Sequence, residues 1–191
     1  MEHYRTRFND VETILRDMEE RDIPRIVSYW SGSPPEYMRS IGIDVRKLTS
    51  PDEMAERWRA LIAPAGPRNL ACLVAESGGR LLGYTLLRRS DEKQGYIHAH
   101  ILDEDLRSHG LASLMLVEVF RVFFRSFPID EILMATAPEN KRINGLLQKF
   151  GLVPVQAEMA APEGKMRPGL VNIYTLPRAL AESLSSARDK S

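Results

Sequence analysis

The sequence predicts one α/β (α+β) domain in which helices come first and strands then alternate with helices. Three observations carry this. Two β-like runs meet across Ser77-Gly78-Gly79, a hairpin signal. A β-like run over residues 95–102 gives way, through Arg107-Ser108-His109-Gly110-Leu111-Ala112, to a long apolar helix. A further apolar run of strand length, 131–136, leads into a helix that Gly151 closes at its C-terminal side. At 191 residues with 43% hydrophobic content, the chain can bury a full core. Residues 1–177 are read as the domain, and 178–191 as a tail whose weak helix frays.

Taken in order, residues 1–10 are polar and charged, which excludes a signal peptide, and 11–16 form a short strand. Asp22 followed by Pro24 starts a helix to about Trp30, and Ser33-Pro34-Pro35 starts another through Met38. In the third helix Ser50 is the cap, Pro51 fills the first turn and Glu53 supplies the capping-box carboxylate. Met54, Trp58, Leu61 and Ile62 follow at helical spacing, and Pro64-Ala65-Gly66-Pro67 ends the element. Residues 70–76 and 80–88 are the hairpin strands. The helix over 110–125 is apolar on most faces, with Glu118, Arg121 and Arg125 as one polar stripe, so it is expected to lie mostly buried against the sheet. Pro138-Glu139-Asn140 begins the next helix, and β-like runs at 152–159 and 171–176 flank a Pro/Gly loop over 162–169.

Charge and cysteine content narrow the partners. Twenty-six acidic and 26 basic residues cancel, leaving no global field to attract nucleic acid or an anionic membrane. The most apolar run, 111–124, is broken by Glu118 and Arg121. A soluble cytoplasmic chain is expected, without nucleic-acid or membrane partners, as a monomer or homodimer. The single cysteine, Cys72, can make neither an internal disulfide nor a thiolate-rich zinc site, and reads as a small buried hydrophobe. His98 and His100 lack a nearby cysteine or third ligand, so no metal site is expected.

The glycine-containing turn at 107–112 has a chemical reading. The first backbone N–H groups of a helix lack intrahelical partners and lie at the positive end of its dipole, so a pyrophosphate can accept several of them. Glycine at a helix start also serves a tight turn alone. A P-loop would need Gly-Lys-Ser/Thr where Gly110 is followed by Leu111-Ala112, and a Rossmann turn would need three spaced glycines and a later acidic residue. Neither pattern is present.

The order strand, Arg107-x-x-Gly110-x-Ala112, helix, strand, Asn140-x-x-x-Asn144-x-Leu146-Leu147-Gln148-Lys149-Phe150-Gly151-Leu152 resembles the GNAT superfamily of acyl-CoA-dependent N-acyltransferases. The likeness is specific over 97–153 and extends in topology over 11–176. Residues 25–48, with Tyr-Trp-Ser-Gly-Ser-Pro-Pro-Glu at their heart, also resemble a bacterial branch of that superfamily. The resemblance implies a mixed, mostly antiparallel sheet of six to seven strands flanked by helices, splayed on either side of the cofactor-binding helix. It implies acetyl-CoA or another short acyl-CoA as co-substrate, its pyrophosphate held by Arg107, Ser108, His109, Gly110, Leu111 and Ala112 mainly through main-chain N–H groups. The preceding strand is expected to bulge, leaving backbone near Leu102 to pair with the pantetheine arm and to donate to the oxyanion. Asn140 and Asn144 match cofactor-contacting positions, although Asn140 could instead cap its helix.

Amine attack on a thioester requires a proton acceptor, an oxyanion donor and a route for the departing thiolate. Tyr96, His98, His100 and Leu102 share one face of their strand by period two, and in the family that strand borders the acceptor cleft. His98 and His100 are therefore the candidate catalytic residues, His98 matching a histidine position of the arylalkylamine acetyltransferases. Many members carry a tyrosine acid where this chain has Leu147, so Tyr174, a water or no acid would serve. Tyr29, Trp30, Glu36 and Tyr37 are candidates for recognising a small-molecule or peptide amine. The expected activity is acyl transfer to a primary amine by direct attack in a ternary complex. The alternative is a non-catalytic acyl-CoA-binding or regulatory module on the same fold.

Overall fold

The apolar run at residues 81–87 is buried on both faces, which requires helices on each side of the sheet containing it. The computed structural model of the chain describes residues 1–8, 11–66, 68–90, 92–103, 105–106, 110–159 and 165–188. Its elements are β1 (Glu2–Phe8), β2 (Val11–Asp17), α1 (Ile23–Gly32), α2 (Pro35–Ser40), α3 (Pro51–Ile62), β3 (Leu70–Ser77), β4 (Arg80–Arg89), β5 (Gln94–Ile101), α4 (Leu111–Ser126), β6 (Glu131–Thr136), α5 (Lys141–Lys149), β7 (Val155–Met159), β8 (Gly169–Pro177) and α6 (Arg178–Arg188). Among the described residues eight strands form one sheet in the order β1-β2-β3-β4-β5-β6-β8-β7. Every neighbouring pair is antiparallel except β5 and β6.

The sheet separates two apolar layers. On one face Ile23, Ile26, Trp30, Met54 and Trp58 of α1 and α3 pack on Val74, Leu81 and Tyr84. On the other, Leu116, Phe120 and Phe123 of α4 pack on Leu73, Leu82, Leu87 and Ile132, and α5 adds Leu147. The buried side of α1, Ile23, Ile26, Tyr29 and Trp30, follows the helical repeat. Ser50 and Glu53 form the expected capping box of α3, with Ser50 N–H donating to Glu53 at 3.1 Å and Glu53 N–H donating to Ser50 at 3.3 Å.

Four details depart from expectation. The sheet has eight strands rather than six or seven, because the charged N-terminus forms β1. Its charges lie outward and pair along the edge: Arg5 with Glu2 and Glu12, and His3 with Asp17 at 2.7 Å. Glu118 is not part of a solvated stripe but is buried against Arg121, at 3.5 Å. Among the described residues no register shift interrupts the β4–β5 pairing, and no bulge is seen there. The C-terminal segment is docked: α6 buries Ala181 and Ser185, and Arg178 donates to the carbonyls of Phe124, Phe127 and Ile129 at 2.8, 3.3 and 2.6 Å. Among the described residues no helix is long and apolar enough to cross a membrane.

Candidate active site

Strands β5 and β6 are joined only at their starts, where Gln94, Gly95 and Tyr96 face Glu131, Ile132 and Leu133. Beyond Tyr96 they diverge, and the fork opens into a cleft of about 440 Å³ lined by β5, the first turn of α4, the end of β6 and one side of α5. That size suits an organic ligand. The register of β4 with β5 sets which backbone groups meet it. Leu102 N–H donates to Leu82 O at 2.9 Å, so the N–H and C=O of Tyr96, His98, His100 and Leu102 face β4. Those of Ile97, Ala99 and Ile101 consequently face the fork. Leu102 was the expected pantetheine and oxyanion contact; its amide is committed to β4 and its side chain is buried among α1–α3.

The start of α4 closes one end of the cleft. Gly110 is its N-cap with φ +87° and ψ −8°, a left-handed conformation that glycine adopts without strain. A side chain there would meet nothing within 4 Å, so the requirement is conformational. The first i→i−4 bond of α4 runs from Leu114 N–H to Gly110 O, at 3.0 Å. The amides of Leu111, Ala112 and Ser113 precede it, and Ala112 and Ser113 line the cleft. Arg107, Ser108 and His109 lie outside the described residues.

On α5 the two candidate asparagines part company. Asn140 lines the cleft and makes no side-chain cap bond. Asn144 does not reach the cleft: it is buried, accepting from Thr136, Asn172 and Tyr174 at 2.5, 3.1 and 2.9 Å and donating to the carbonyls of Ala137 and Asn140, both at 2.9 Å. Its place is structural. Tyr174, offered as an alternative acid, is fully buried with its hydroxyl on Asn144, which removes it from the chemistry. Leu147 lines the apolar wall of the cleft.

Both histidines line the cleft. His98 is exposed to the cleft yet crowded by surrounding atoms; the resulting loss of hydration, reinforced by repulsion from Arg88, pushes its pKa down from 6.5 to about 4, leaving the ring neutral at pH 7. His100 sits in an aromatic setting, stacked on Tyr84 at 5.2 Å and 22°, with Trp30 edge-on at 4.8 Å. Its Nδ1 is 3.1 Å from the Tyr29 hydroxyl, which is 3.2 Å from that of Tyr37. Of the four acceptor candidates only Tyr37 lines the cleft. Tyr29 and Trp30 are buried behind it, and Trp30 donates its indole N–H to Tyr84 at 3.0 Å. Glu36 is exposed and is not part of the lining.

Several cleft residues escaped sequence reasoning. Ile41, Ile43 and Met166 close the side facing α2, where Asp44 N–H donates to Lys165 O and Arg167 N–H to Gly42 O, each at 2.8 Å. Gly42 (φ +89°) abuts Ala137, whose Cβ would stand 2.8 Å from any added side chain. A glycine two residues past the last turn of α2 was the one local signal; Met166 had none. Arg142 and Lys149 bring positive charge to the α5 side of the cleft.

A family profile described as an acetyltransferase (GNAT) domain matches residues 12–153, about three quarters of the chain. The chain belongs to the GNAT acetyltransferase family. Among solved structures, a Vibrio cholerae spermidine N-acetyltransferase in complex with CoA and spermine superimposes with TM-score 0.71 at 16% identity, covering 89% of this chain and 98% of that one. RimL, a ribosomal α-N-protein acetyltransferase, in complex with coenzyme A, gives 0.70 at 15% identity, covering 91% and 98%. An aminoglycoside acetyltransferase in complex with coenzyme A gives 0.69 at 14% identity, covering 90% and 98%. At such identities the GNAT fold is what they share. A search of curated protein sequences finds no match.

Proposed function

We propose that this GNAT domain transfers an acetyl or short acyl group from CoA to a primary amine by direct attack in a ternary complex. The observation that carries the reading is the fork between β5 and β6, which sets the backbone edge of Ile97, Ala99 and Ile101 beside the Gly110-led start of α4. A pantetheine arm can pair with that edge as an added strand while the α4 amides hold the pyrophosphate. Asn140, Arg142 and Lys149 supply polar and cationic groups along the same cleft.

In the chemistry the amine lone pair attacks the thioester carbonyl, the tetrahedral oxyanion collapses, and the C–S bond breaks. Backbone N–H groups of β5 facing the fork stabilise the oxyanion. His100 takes the ammonium proton, directly or through water. His98 is a weak base, because an imidazolium of pKa about 4 holds poorly a proton taken from an amine. Cys72 is no nucleophile for a covalent route: burial pushes its thiol up to about 12. The acceptor side is apolar and aromatic through Ile41, Ile43 and Tyr37, which suits a small-molecule or peptide amine. The spermidine, ribosomal-protein and aminoglycoside acetyltransferases that share the fold support an amine acceptor.

A thermal-shift series followed by an amine-panel assay of free CoA release tests this. Acetyl-CoA at about 100 times its Kd is expected to stabilise the fold by about 2.7 kcal/mol. Turnover of at least one primary amine is expected, with His100→Ala losing more kcat than His98→Ala. Absence of a shift at saturating acetyl-CoA refutes the reading. A shift without turnover supports the non-catalytic acyl-CoA module instead, which buried, donor-free Leu147 favours.

A further inference from the structure

Leu147 leaves its position on α5 without a hydroxyl to protonate the thiolate, yet the structure supplies a phenol elsewhere in the cleft. Tyr37 is the one phenol lining the cleft among the described residues. It is connected inward: Tyr37 Oη to Tyr29 Oη, 3.2 Å, and Tyr29 Oη to His100 Nδ1, 3.1 Å. Both ends of this chain, Tyr37 and His100, line the same cleft, while the middle, Tyr29, is buried.

We propose that His100, Tyr29 and Tyr37 form one proton relay in which base and acid are opposite ends of a single hydrogen-bonded chain. The inference deepens the acetyltransferase reading and rests on it. One proton is moved. The ammonium formed by amine attack gives its proton to His100 Nε2; Nδ1–H passes a proton to Tyr29 Oη; Tyr29 passes its hydroxyl proton to Tyr37 Oη; and Tyr37 donates its own to the sulfur as the C–S bond breaks. The products are the amide and free CoA thiol, and every relay member ends neutral. Rotation of the two hydroxyls and proton exchange at the imidazole restore the starting tautomer.

The surroundings hold this chain in place. Tyr29 lies edge-on to Trp30 at 5.3 Å and to Tyr37 at 6.3 Å. His100 stacks on Tyr84 and meets Trp30 edge-on, and those two are tied to each other by the 3.0 Å bond from indole to phenol. Rings packed on rings restrict rotation, so the donors and acceptors are positioned before substrate arrives. Here Tyr37 and His100 are the catalytic residues and Tyr29 is a positioning residue that acts between them.

The test compares Tyr37→Phe, Tyr29→Phe and the double variant with wild type, using acetyl-CoA and the best amine from the panel. Each single variant keeps its ring packing and is expected to lose about 10²-fold in kcat, the range of general acid–base catalysis, with KM for acetyl-CoA within about twofold. The double variant is expected to be no slower than the worse single, because cutting one wire twice costs no more than cutting it once. Losses that multiply in the double variant, or singles that retain kcat, overturn the relay while leaving acetyl transfer standing. Wild type that binds acetyl-CoA without turnover overturns the relay together with the reading beneath it. Imidazole ¹⁵N spectra give a readout free of turnover: His100 Nδ1 is expected to shift in Tyr29→Phe, and an unchanged Nδ1 resonance refutes the chain.

Discussion

At the scale of single residues, Asn144 shows how a polar side chain at a motif position becomes structural. Its carbonyl oxygen accepts from Thr136 on β6 and from Asn172 and Tyr174 on β8, and its amide donates back to the β6–α5 connection. Asn144→Ala strands several buried partners, and is expected to lower the unfolding free energy by about 3 kcal/mol in urea titration. His98 predicts a pH effect of definite sign. Its folded pKa, about 4, lies below the ordinary 6.5, so the unfolded chain binds the proton first as pH falls. The stability it contributes is complete above about pH 6.5 and is lost on descending toward about pH 4. Melting temperatures across that window are expected to fall less steeply in His98→Gln than in wild type. That His100 sits among Tyr84, Trp30 and Tyr29 while His98 does not was not readable from period two, because alternation places both on one face and says nothing of what packs against each.

Elements were largely legible where local chemistry specifies them. Ser50, Pro51 and Glu53 announced the start of α3, and the capping box is there. Gly110 announced the start of α4 through the tight turn expected of a glycine there: its backbone is left-handed, in open space. Gly110→Val is therefore expected to cost roughly 1–2 kcal/mol of backbone strain and to weaken acetyl-CoA binding by distorting the first turn, measured together by denaturation and calorimetric titration. β1 was not legible, since Arg5, Glu2 and Glu12 look like a solvated terminus until β2 lies alongside to pair with them. α6 likewise looked marginal because its anchors, the carbonyls of Phe124, Phe127 and Ile129, come from the last turn of α4 and the segment after it, some fifty residues earlier.

Over the whole molecule, contacts between distant segments decide the layout. Arg16 on β2 is buried and bonds both carboxylate oxygens of Asp22 at 2.8 Å and that of Glu76 on β3, tying the entry to α1 against the sheet. Arg16→Met, which leaves Asp22 without its cation and Glu76 with only the more distant Arg21 at 3.7 Å, is expected to cost about 3–5 kcal/mol by chemical denaturation. Pairing it with Asp22→Asn and Glu76→Gln is expected to recover most of that loss. The sequence by itself determined the order of most strands and helices, the caps and turns, and the family motif around Gly110 and Asn140, because periodicity, capping and glycine conformation act over a few residues. Only the tertiary structure decided that β5 and β6 part after Tyr96, that Asn144 turns inward while Asn140 faces the cleft, and that Tyr29 joins His100 to Tyr37. These depend on which side chains from segments dozens of residues apart are packed together, a property of the folded core that no local pattern encodes.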